Sequence, residues 1–236
     1  MSALAAVSAL LVLSGCGTST VEGTPATDAA PTTSDLVPLI SPDQTLEPAP
    51  ALNVNGVPVV VEMESPVNQV VVKAAEDVTE FWANKLPTEF NLPKGYAALP
   101  ASSSKTECYA KLDFARFCQG EMIWEVPQME AVQAKGGDGS VLVVVGHEIG
   151  HRVQSSTGIS KGGERNADCL SGVYLASVRD GKSSRFKGND ERIRFAANNA
   201  FKTIQYGDET IVRERMAAFA DGLRLGSVEQ CSALHP

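Results

Sequence analysis

Val141-Leu-Val-Val-Val-Gly-His147-Glu148-Ile-Gly-His151 is an almost wholly apolar run that closes on two histidines four residues apart, with a glutamate directly after the first. A helix apolar nearly all round in its first half belongs inside a fold, so the spacing predicts a central buried helix over 140–156. On a helix, positions four apart share a face and are separated by roughly 6 Å of rise, which lets two imidazoles converge on one ion. His147 and His151 are therefore candidate metal ligands, and they are two of only three histidines in the chain. Glu148 stands about 100° further round, where it can flank the open side of an ion without binding it. A general base for a metal-activated water is needed at that place. Upstream, Gly136-Gly-Asp-Gly-Ser140 lacks the Gly-Lys-Ser/Thr ending of a phosphate loop. It reads as a flexible lead-in, with Asp138 or Ser140 capping the helix.

Two histidines make half a site. A catalytic zinc ion takes three protein ligands and keeps one position open for water. Glu164, in Glu164-Arg-Asn-Ala-Asp168, opens the next predicted helix, over 163–179, and is the candidate third ligand. Asp168, four residues on, shares its face and can accept a hydrogen bond from a ligand histidine, fixing its tautomer. Gln154, three residues after His151, either orients a ligand or the following loop, or is an ordinary solvated residue.

Outward from this centre the pattern is mainly helical. Apolar residues three and four apart predict helices over 67–86, stopped by Pro87, and over 190–206 and 209–225, the last with Val212, Met216, Phe219 and Leu223 on one face. A loop is expected through Pro93, Gly95 and Pro100, followed by short segments over 107–114 and 119–126. Glu121-Met-Ile-Trp-Glu-Val126 alternates apolar and polar residues and ends at Pro127, as a half-exposed strand does. Ile123 to Val126 is the expected edge strand beside the metal, where a substrate backbone would add as a further strand.

The net charge of −8 over 236 residues argues against nucleic acid or an anionic membrane surface as partner. An apolar run over 3–13 is too short to span a bilayer but suits a signal-peptide core, although no Lys or Arg precedes it. Leu13-Ser-Gly-Cys16 resembles a bacterial lipobox, which implies lipidation of Cys16 and anchoring on the outer face of the cytoplasmic membrane; the alternative for an exported chain is secretion. Residues 17–55, with six prolines among Thr, Ser and Ala, read as a disordered linker, and 56–236 as the folded domain. In an exported chain the four remaining cysteines form disulfides in one of three pairings; local spacing favours Cys108–Cys118 with Cys169–Cys231.

The stretches Gly146 to Gln154 and Glu164 to Gly172, with the later Arg215-Met-Ala-Ala-Phe219-Ala-Asp-Gly222 and Cys231, resemble the bacterial neutral zinc metallopeptidase family. That family lies within the wider group of His-Glu-x-x-His enzymes with a third-ligand Glu, which includes thermolysin. The resemblance covers about residues 67–236. It implies an α+β, zincin-like fold, predominantly helical with a small β-sheet next to the active-site helix. It also implies zinc on His147, His151 and Glu164, Glu148 as base, and Asp168 behind a ligand. The expected activity is a lipid-anchored, extracytoplasmic zinc peptidase acting on peptide or protein substrates. In the family a His-Gly precedes the last helix where this chain has Tyr206-Gly207, so Tyr206 is the candidate oxyanion donor, with Arg213 or Arg215 as alternative cations. The alternative is a catalytically weak or inactive zincin-fold lipoprotein serving as a binding or cell-envelope assembly module.

Overall fold

Pro66 cannot donate a backbone hydrogen bond, and the first turn of a helix does not need it to, so helix α1 opens there and runs Pro66–Lys85 in the computed structural model. The structure describes residues 53–54, 57–60, 64–99, 114–159, 163–205 and 208–236, all within one compact unit, Leu36–Pro236. The fold is α+β and mostly helical. A mixed five-stranded sheet has β1 (Asn53–Val54), β2 (Val57–Val60), β3 (Gly95–Leu99), β4 (Ala115–Cys118) and β5 (Glu121–Glu125) in the order β1-β2-β3-β5-β4. Strands β2, β3 and β5 run parallel, and β4 closes the edge antiparallel to β5, with Phe117 opposite Met122.

Three expectations about the sheet change. The loop through Gly95 contains β3, and pairing begins at Asn53, inside the segment read as linker. The strand Ile123 to Val126 is not the edge: β5 is paired on both sides, burying Met122, Ile123 and Trp124, and β4 is the outermost strand on that side among the described residues. The 107–114 segment lies outside the described residues except for Phe114, as do the signal region with Cys16 and nearly all of the linker.

The long helix α2 spans Val126–Thr157 and is broken once, at Gly137, whose φ of 69° is open to glycine and strained for other residues. The glycine-rich lead-in is thus a kink between two helical stretches. Pro127, read as a strand terminator, is equally a first-turn helix residue, and Met129 and Val132 bury that turn. Neither expected cap forms. Asp138 accepts from Gln133, and Ser140 donates to the Ala196 carbonyl on the next helix but one.

Helices α3 (Glu164–Arg179), α4 (Asp190–Ile204) and α5 (Glu209–Leu225) agree closely with the pattern, with Val212, Phe219 and Leu223 buried and Met216 against the core. Asn189 and Asp208 cap α4 and α5 through their side chains. A short helix, α6 (Val228–Leu234), was not anticipated. It is tied to α3 by the Cys169–Cys231 disulfide, as expected. Cys118 is also disulfide-bonded, and its expected partner Cys108 lies outside the described residues.

Candidate metal centre

The kink at Gly137 starts the second stretch of α2 deep in the core, where Val141 to Val145 are buried without exception. That stretch carries His147, Glu148 and His151 past α3 at close range. A Cβ on Gly150 would stand 2.9 Å from the Ala167 carbonyl oxygen, so the two backbones meet only because the position is glycine. Ser171 on α3 donates to the Val143 carbonyl, fixing the helices lengthwise. Glu164 and Asp168, one turn apart on α3, consequently face the two histidines.

Glu164 joins the pair. Its Oε2 lies 3.1 Å from His147 Nε2 and its Oε1 3.6 Å from His151 Nε2. One ligand atom from each of the three residues falls within 4.8 Å of the others, so the group could hold a metal ion. Ligand atoms bound tetrahedrally at about 2.0–2.2 Å stand roughly 3.3–3.6 Å apart, close to these separations. The far side of each ring is engaged. His147 Nδ1 donates to Asp168 Oδ1 at 2.7 Å, and His151 Nδ1 donates to Gln154 Oε1 at 2.9 Å. Both Nε2 atoms are thereby turned toward Glu164.

Asp168 is wholly buried and shared. Arg215 on α5 grips it through two bonds, Nε to Oδ2 at 2.8 Å and Nη2 to Oδ1 at 2.7 Å, with the guanidinium 4.6 Å from the Phe201 ring centroid. Burial alone would raise the Asp168 carboxyl, but His147 and Arg215 hold it below the usual carboxylate range. At His147 burial opposes the imidazolium, yet the Asp168 carboxylate outweighs it and lifts the imidazole to about 9. The hydrogen bond from His147 holds the carboxyl of Glu164 down to about 2.

Glu148 turns the other way. Its Oε2 accepts from the backbone N–H of Phe117 at 2.8 Å, so this amide of β4 points away from β5 and into the site. Glu148, the three grouped donors and β4 line one cleft of about 930 Å³. A carboxylate that borders the ion's position without entering the ligand set can move a proton there.

Among the expected site residues, His147, Glu148, His151, Gln154, Glu164 and Asp168 are brought together. Tyr206 lies outside the described residues. Arg213 is exposed, and Arg215 is committed to Asp168. His235, the third histidine of the chain, is docked: its imidazole lies 3.2 Å from Asp221, and its carbonyl accepts from Asn166. Reading the sequence missed the grip of Arg215 on Asp168, 47 residues away, and the Phe117 amide, which no side-chain pattern can mark. No family model matches the chain, and neither a curated protein nor a solved structure is significantly similar to it.

Proposed function

We propose that the protein is a zinc-dependent peptidase of zincin-like fold, akin to the bacterial neutral zinc metallopeptidases its motifs resemble. The observation that carries the reading is the division of labour among carboxylates: Glu164 stands with the histidines, while Glu148 lines the same cleft outside the ligand group. Two nitrogens and one oxygen suit zinc, with a position left for water or substrate, whereas a structural zinc site is closed by four protein ligands. When bound, zinc supplies a Lewis acid that acidifies water and polarises a carbonyl.

The chain's own residues supply the rest. Glu148 takes the proton of the attacking water and returns it to the leaving amine, with the Phe117 amide fixing the carboxylate against β4. Strand β4, outermost on its side among the described strands, runs along the cleft, where an extended peptide can pair with main-chain groups. Asp168 and Arg215 keep the His147 ring in the tautomer that presents Nε2. Export and lipid attachment at Cys16 complete the proposal; no helix among the described residues is long and apolar enough to cross a membrane.

The test is Glu148→Gln. The variant should retain zinc stoichiometry and thermal stability and lose hydrolysis of a mixed peptide library by at least about a hundredfold, the scale of a positioned proton-transfer group. Wild-type protein that carries zinc and cleaves nothing would favour the non-enzymatic binding module instead.

A further inference from the structure

The second ligand histidine is connected to the C-terminal segment by an unbroken chain of side-chain amides. His151 Nδ1 donates to Gln154 Oε1 at 2.9 Å, and Gln154 Nε2 donates to Asn166 Oδ1 at 3.0 Å. Asn166 Nδ2 in turn donates to the backbone carbonyl of His235 at 3.0 Å. Asn166 is wholly buried and Gln154 nearly so, so loss of one bond leaves polar groups unsatisfied. The disulfide stands beside the chain at both ends. Cys169 is three residues from Asn166 on α3, and the Cys231 backbone carbonyl accepts from the His235 N–H at the C-cap of α6.

We propose that α6 is a disulfide-secured brace for the metal centre: the Cys169–Cys231 bond docks the His235 carbonyl on Asn166, and Asn166 and Gln154 hold His151 in its ligating orientation. This rests on the reading of His147, His151 and Glu164 as a metal site. Without the disulfide bond the seven-residue α6 is held only by buried Val228 and Cys231 and by the contact of His235 with Asp221. Asn166 loses its acceptor, Gln154 loses a fixed partner, and the His151 ring regains rotational freedom. Asn166 and Gln154 are positioning residues in this scheme, since neither approaches the ion. An exported chain acquires the bond in an oxidising compartment, so full metal affinity would follow oxidation.

Full-length protein loaded with Co²⁺, and separately with Zn²⁺ in competition with a chromophoric chelator, tests the brace. The Cys169→Ala/Cys231→Ala variant, confirmed folded by circular dichroism, should bind both ions about tenfold or more weakly and show shifted cobalt d–d bands, as loss of a partner behind a ligand does. Asn166→Leu, with the disulfide intact, should do the same, and the triple variant should bind no worse than either, because both changes act on one path. Additive losses, or unchanged affinity and spectrum in Asn166→Leu, overturn the proposal even where the cysteine variant fails to fold. Wild-type protein that takes up neither ion overturns the metal reading and the brace together, whereas normal uptake insensitive to these changes removes the brace alone.

Discussion

Arg215 is the residue on which the site's internal balance turns. Buried among α2, α3 and α5, it is compensated by Asp168, which also accepts a hydrogen bond from His147. Replacing Asp168 with alanine strands a buried cation, which typically costs about 3–5 kcal/mol and should appear as a lowered urea midpoint. The Asp168→Leu/Arg215→Met double variant should be more stable than either single change, because no unpaired charge is left behind. A second expectation concerns protons. With the His147 imidazole lifted to about 9 in the metal-free protein, the ring holds its proton at neutral pH, and an ion binding at Nε2 must displace it. Metal affinity should rise with pH up to about 9 and level off beyond. At pH 7.5, titration calorimetry in buffers of different ionisation enthalpy should report about one proton released per ion; release of none would contradict the assignment of His147.

The elements that hold the site were mostly readable. His147, Glu148 and His151 sit at helical spacing on a strongly apolar run, and α3 and α5 keep a clear period, so their ends fall within a residue or two of expectation. The misses have local causes. Gly136 to Ser140 reads as loop because glycine is a poor helix former, and only the packing of Met129 and Val132 reveals a helix before it. Strand β3 is five residues long and gains its stability from two parallel neighbours far off in sequence. Docking of α6 depends on a carbonyl and a buried amide, which no periodicity encodes. The close crossing of α2 and α3 gives its own test. Gly150→Ala brings a methyl group against the Ala167 carbonyl, so the helices must separate, with a stability loss of about 2 kcal/mol and weakened metal binding. Alanine at Gly150 with unchanged cobalt binding would show that the crossing is not what sets the ligand spacing.

At the scale of the molecule, the candidate centre sits on a scaffold with a core of its own. Helices α1 to α5 bury one continuous core against the sheet, and the three candidate ligands draw on only α2 and α3. The metal-free protein should therefore unfold cooperatively, and an ion present at a thousand times its dissociation constant should add about 4 kcal/mol. For a domain of this size that corresponds to a rise in Tm of roughly 10 °C, reversed by a chelator and measurable by scanning calorimetry. A metal-free chain that melts without a transition would instead put this site among those whose ion drives folding.

The donors His147, His151 and Glu164 all lie within residues 147–164, whereas Arg215 and α6 belong to the last part of the chain. In a polypeptide emerging N-terminus first, the three candidate donors are made before the residues proposed to brace them. Under the proposed function, capture of an ion and locking of its surroundings are thus separable steps.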